Sequence, residues 1–139
     1  MPSPRRIEIT LQTLIESVHL AEEISCCVAA AQGYDADERH KIGLAVREGV
    51  ANAFYYGNQE HPDKLIRLVF ETEGDRFVVR ILDEGPGFSL NDVPDPLAQE
   101  NLMKASGRGI FLMKAFMDEF DVLRSSAGGA ELVMVKKLP

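Results

Sequence analysis

Glu48 and Asn52 lie four residues apart in the stretch LAVREGVANAFYYGN, Leu44 to Asn58. At helical period this spacing stacks a carboxylate and a carboxamide on one helix face. Their neighbours are apolar. Ile42, Val46, Gly49, Val50 and Ala53 form the stripe by which such a helix meets a core, and Gly49 and Ala53 permit close packing. A polar pair at the edge of an apolar stripe has two readings. On one it is a solvated flank, because charged side chains are mostly exposed. On the other both oxygens point at a hard cation, which takes oxygen ligands and keeps waters for a bound phosphate. The pair alone does not choose.

Two glycine clusters come next as places where chemistry could sit. DEGPGF, Asp83 to Phe88, follows an apolar run and invites a dinucleotide-binding fingerprint. It fails, because Leu90 stands at the third glycine position and NDVPDP cannot open a helix. A P-loop is excluded as well, since neither cluster is followed by Gly-Lys-Ser or Gly-Lys-Thr. SGRGIF, Ser106 to Phe111, precedes a helical pattern, where free N–H groups and the positive dipole end suit an anion. By itself it serves equally as a plain helix start. No Ser or Cys has a nucleophile's local signature, and His19, His40 and His61 form no ligand pattern. The adjacent Cys26 and Cys27 suit neither a disulfide nor a metal and read as small core residues in a reducing compartment.

Composition bounds the setting of these residues. With 139 residues, 45% hydrophobic and 27% charged, the chain reads as one soluble globular domain. A net charge of −7 argues against direct nucleic-acid binding, which wants a basic face. Arg5, Arg6, Glu8 and Glu16 interrupt the first apolar run, so neither a signal peptide nor a membrane span can be drawn and a cytoplasmic location is expected.

The elements that must position these residues alternate along the chain. Arg6 to Thr10 reads as an edge strand with Ile7 and Ile9 inward. Leu14, Val18, Ala21 and Val28 predict a helix over Thr13 to Ala31, stopped by Gly33. Asp35 with Glu38 three residues on is a capping-box variant. It opens a second helix that carries the Glu48/Asn52 face and stops at Gly57. Leu65 to Glu71 and Arg76 to Asp83 predict a hairpin turning at Glu73, Gly74 and Asp75. From Glu84 to Arg108 the pattern dissolves into a long loop rich in Gly and Pro, the kind that is usually functional. A third helix, Gly109 to about Asp118, and a final hairpin of Phe120 to Arg124 and Glu131 to Lys137, turning at Ser126 to Gly129, complete the domain. The product is a two-layer α/β (α+β) sandwich, a mixed, mostly antiparallel sheet with helices on one face.

Glu48-x-x-x-Asn52-Ala53-x-x-Tyr56-Gly57, then Asp83-x-Gly85-x-Gly87-Phe88, then Gly107-x-Gly109 before a helix resemble the N, G1 and G2 boxes of the GHKL ATPases. That superfamily holds gyrase, histidine kinases and related chaperones, and shares the Bergerat fold. Three motifs in order at the ends of the expected elements are specific where any one is weak. The run NLMKASGRGIFLMKAFMDE is similar to the anti-sigma factor serine/threonine kinases, and no upstream helical hairpin with a phospho-accepting histidine is seen, so residues 1–139 are expected to be a single ATP-binding unit.

The resemblance implies ATP and Mg²⁺. Asn52 would coordinate the metal. Glu48 would be the general base toward an attacking hydroxyl. Asp83 would accept from the adenine amino group, with Gly85 and Gly87 letting the backbone pass close to base and ribose. Ser106, Gly107, Arg108, Gly109 and Ile110 would supply amides to the phosphates, and Arg108 would neutralise charge on the transferring group. Residues 84–108 would form a lid, where Lys104 could assist. Tyr56 departs from the histidine of many relatives, and Ala130 from a Thr that often supports the adenine pocket. The implied partners are a sigma factor and an anti-anti-sigma antagonist, the implied assembly a homodimer, with neither nucleic acid nor membrane contacted directly. Against a kinase of this type stands a nucleotide-gated binding module with little or no transfer. A fragment of a histidine-kinase system is a more distant third.

Overall fold

The computed structural model describes residues 5–85, 105–125 and 128–139. Strands β1 (Arg5–Gln12), β2 (Leu65–Glu73), β3 (Arg76–Leu82), β4 (Glu119–Arg124) and β5 (Ala130–Lys137) form one sheet in the order β1-β2-β3-β5-β4. Helices α1 (Ile15–Ala31), α2 (Ala36–Asn52) and α3 (Ala105–Phe116) cover one face, and a π-helical turn, Ala53–Gly57, continues α2. All four strand pairings are antiparallel, so among the described residues the sheet is not mixed.

Period-two alternation builds the layer. Ile66, Leu68 and Phe70 of β2, Phe77, Val79 and Ile81 of β3, and Leu132 and Met134 of β5 are buried toward the helices. Phe70 and Phe77 stack with ring centroids 6.2 Å apart. Facing them are Val18 and Ala21 of α1, Ile42, Val46 and Val50 of α2, and Ile110 and Met113 of α3. Each such large apolar side chain contributes about 1.5–3 kcal/mol by leaving water. A Cβ on Gly49 would meet Ile81 Cδ1 at 2.5 Å, so its absence lets α2 lie against β3.

Local chemistry sets the boundaries. Asp35 accepts from the Glu38 N–H at 2.8 Å and caps α2, while Gly33 at φ +97 ends the α1 region. The Tyr34 hydroxyl donates to the Lys137 carbonyl at 2.8 Å, tying the α1–α2 corner to β5. Lys136 Nζ donates to the Phe116 carbonyl at 3.0 Å and pairs with Glu38 at 2.9 Å. One cation thus joins the end of α3, the start of α2 and the sheet.

Four sequence expectations are revised. β1 is an edge strand whose Ile7, Ile9 and Leu11 share the helix-covered side of the sheet, as their pairing with Phe70, Leu68 and Ile66 shows, but only Ile9 and Leu11 reach the core, and Ile7 is left 46% exposed. Leu14 lies before α1 and is exposed. Cys27 is exposed and Cys26 half-buried, since α1 buries its Ser25 and Ala29 side toward the core. Helix α3 spans Ala105–Phe116 rather than Gly109 to Asp118. Ser106 and Arg108 continue the helix on its N-terminal side despite two glycines. At the other end Met117 and Asp118 turn the chain into β4, the Asp118 N–H donating to the Val135 carbonyl.

Candidate functional site

Helix α2 presents Glu48 and Asn52 one turn apart, at the margin of its buried stripe, with Asn52 only 6% exposed. The Asn52 Nδ2 is buried without a hydrogen-bond partner among the described residues. Burial raises the Glu48 pKa above its ordinary value, opposed by the positive fields of Arg47 and Arg108. Arg108 itself is exposed on α3. Gly109 closes the arrangement. A Cβ there would stand 3.1 Å from Glu48 Oε2 and 3.5 Å from Asn52 Nδ2, so the first turns of α3 rest directly on the polar pair. Asn52 is therefore not on a solvated flank, and Glu48 beside it is half-buried under α3.

Because α3 starts at Ala105, the amides of Ser106 and Gly107 belong to the first turn, where helix N–H groups have no intrahelical partner. Gly109 and Ile110 lie deeper, at positions whose N–H groups bond within the helix, and the Ile110 side chain is core at 3% exposure. Of the residues expected to bind phosphate, these last two contribute packing rather than free amides.

Asp83 marks the other end of the site, at the end of β3. Its Oδ1 accepts from the Gly85 N–H at 3.0 Å and the Ala130 N–H at 3.1 Å. Burial raises its pKa, and these two N–H groups act in the opposite direction. A Cβ on Gly57 would collide with Asp83 Oδ2, one on Gly85 with the Gly57 carbonyl, and one on Gly129 with the Asp83 carbonyl. Three glycines thus bring the end of α2, the β3 exit and the start of β5 into van der Waals contact around one buried carboxylate. Ala130 supplies its backbone N–H, so the missing threonine hydroxyl does not remove that contact. Gly87, Lys104 and the rest of the expected lid between 86 and 104 lie outside the described residues.

An antiparallel sheet with helices on one face thus carries a buried carboxylate at the β3 exit and an acid–amide pair beneath a glycine of a facing helix. A profile of the histidine kinase-like ATPase domain matches residues 11–136. The chain belongs to that family. It is 30% identical over 103 residues to a protein named anti-sigma F factor from Clostridium beijerinckii, covering 73% of this chain and 72% of that one. Against serine-protein kinase RsbW of Bacillus subtilis the identity is 29% over 117 residues, 80% of this chain and 72% of the relative. A solved structure of the RsbU and RsbW domains of a Mycobacterium tuberculosis protein superposes with a TM-score of 0.64 at 18% identity. It covers 96% of this chain and 32% of that one, a likeness of fold.

By sequence Gly57 reads as a helix stop and the end of the first motif, Gly129 reads as part of a hairpin turn, and nothing marks Asn58. Asn58 is fully buried. The available signal was a carboxamide placed directly after a helix-ending glycine, where a solvated turn would serve as well.

Proposed function

We propose that the chain is an ATP-dependent anti-sigma factor and serine/threonine protein kinase, which phosphorylates an anti-anti-sigma antagonist and sequesters a sigma factor. The relatives named anti-sigma F factor and serine-protein kinase RsbW support this reading. The observation that carries it is the Glu48/Asn52 pair, half-buried and buried on α2 and roofed by Gly109. A homodimer in the cytoplasm is the setting that the family resemblance implies.

The residues fit magnesium. Asn52 offers a buried carboxamide whose oxygen is the hard neutral donor that magnesium takes. Asn52 would hold the ion through its oxygen, and the ion would supply charge neutralisation to the phosphates. Asp83 Oδ2 accepts from the adenine amino group while Oδ1 stays on its two backbone N–H groups. Ser106 and Gly107 amides at the α3 N-terminus receive phosphate oxygens. Glu48, raised by burial and so poised nearer neutrality, takes the proton from the substrate hydroxyl as its oxygen bonds to the γ-phosphorus. The bond from that phosphorus to the β–γ bridging oxygen breaks, ADP leaves, and Arg108 balances the charge that develops.

The test is transfer of labelled γ-phosphate from Mg-ATP to small antagonist-type proteins of the same cell, comparing the native chain with Glu48→Ala. Label on one partner, only with Glu48 intact, is expected. Tight ATP binding with no label on any partner would replace the kinase by the nucleotide-gated binding module.

A further inference from the structure

The turn that follows α2 contains a polar hub which the transfer chemistry leaves unused. Asn58 is 0% exposed, and both ends of its carboxamide are engaged. Its Nδ2 donates to Thr13 Oγ1 at 2.8 Å and to the Leu65 carbonyl at 3.0 Å, and its Oδ1 accepts from the Glu84 N–H at 2.7 Å. Thr13 in turn donates to the Lys64 carbonyl at 2.7 Å, and the Leu65 N–H donates to Glu84 Oε1. The backbone of Asn58 is fixed as well. Its N–H donates to the Ala53 carbonyl at 2.7 Å, closing the π turn, and its carbonyl accepts from the His61 N–H at 3.1 Å. Gln59 and Glu60 follow at φ 52 and 62, a left-handed pair of non-glycine residues that persists only where its surroundings dictate it.

Glu84 is the link between this hub and the base pocket. It sits between Asp83 and Gly85, the residues whose carboxylate and N–H form the pocket's internal bond, and its own N–H is held from below by Asn58. Gly57, the residue before Asn58, has its Cα against Asp83 Oδ2. We propose that Asn58 is a positioning residue for purine recognition: by holding the Glu84 N–H from the end of the π turn, it seats the Asp83–Gly85 corner and sets the discrimination of adenine from guanine. This rests on the nucleotide reading of the site. Guanine presents a carbonyl where adenine presents an amino group, so a correctly seated Asp83 carboxylate accepts from one and repels the other. A corner released from Asn58 loses that difference but keeps the Asn52 end of the site, six residues earlier on the same helical segment.

The measurement is the ratio of Mg-ATP to Mg-GTP affinity by competition calorimetry, with folding followed by circular dichroism. For Asn58→Leu the ratio is expected to fall about tenfold or more, mostly through weaker ATP binding. Asn58→Asp keeps an oxygen for the Glu84 N–H but sets its second oxygen against the Leu65 carbonyl, so only part of the ratio should return. Parallel loss of ATP and GTP affinity in Asn58→Leu would make Asn58 a purely structural residue and overturn the proposal, as would an unchanged ratio. If Asn58→Leu does not fold, Glu84→Ala carries the test: Glu84 is exposed, and its carboxylate is the second strut of the same corner. A ratio lowered by about threefold is expected there, and an unchanged one would overturn the proposal. A native chain that binds neither nucleotide would instead overturn the reading of the site, and the positioning role with it.

Discussion

Glu48 is asked to be half-buried and charged at once, and the two demands oppose each other. Its folded pKa is raised above the ordinary 4.5 by burial, so the ionised form is disfavoured by folding. The resulting loss of stability is absent below the unfolded pKa and complete above the folded one. Glu48→Gln is therefore expected to melt at higher temperature than the native chain at neutral pH. That gain should vanish as pH falls below about 4.5, the ordinary value, while transfer is lost throughout; equal melting at neutral pH would remove the burial argument. In the native chain, transfer should fail on acidification at a pH above the usual carboxylate range. Asn52→Ala is expected to abolish Mg-dependent ATP binding while leaving the fold intact, and unchanged nucleotide affinity by calorimetry would remove the metal assignment. Arg108 is exposed, and its field already reaches Glu48, so its replacement by Ala should slow transfer by about 10–100-fold with a smaller effect on binding. Equal losses in both would place Arg108 in ground-state recognition.

Helix α3 shows what one missing methyl group does for an element. Its start at Ala105 puts Gly109 in the helix, at a position where alanine is normally the better residue by about 0.5–1 kcal/mol. The contact that argues for glycine is the end of a flexible side chain, Glu48 Oε2 at 3.1 Å from a Cβ, rather than backbone. Gly109→Ala is therefore expected to fold with unchanged or slightly higher stability and to lose transfer by about tenfold, because the carboxylate must move away from its place beside Asn52. A melting temperature lowered by more than a few degrees would mean that α3 cannot accommodate the methyl group. Sequence periodicity marks this helix from Gly109 but not the turn before it, because Gly107 favours a loop by propensity. The beginning of the second helix was legible to the residue, because Asp35 and Glu38 state it chemically, whereas its α-helical part ends at Asn52 and a π turn, which no local signal announces, carries the chain on to Gly57.

At the scale of the molecule, the sheet has two unlike faces. The one away from the helices carries a ladder of ion pairs in which Arg80 bridges Glu71 at 2.7 Å and Glu131 at 2.9 Å, and Arg67 meets Glu8. Val69, Val78 and Val135 lie buried on that same face among these longer side chains. Arg80→Met is expected to cost about 1 kcal/mol at low salt, because two neighbouring carboxylates lose their shared partner, and less in high salt; urea denaturation at two ionic strengths measures it. A cost independent of salt would indicate lost packing instead. The amino-acid sequence by itself determined the elements, their two-layer arrangement and the acid–amide pair at helical spacing, because alternation, capping and i, i+4 geometry are local properties of the chain. Only the tertiary structure decided that Glu48 and Asn52 are roofed by Gly109, that Ile7 is left uncovered on the inner face of its strand, and that Gly57, Gly85 and Gly129 converge on Asp83. It alone made Asn58 a buried hub. Each of these depends on which backbone arrives from far along the chain, and the composition of a short stretch carries no record of that neighbour.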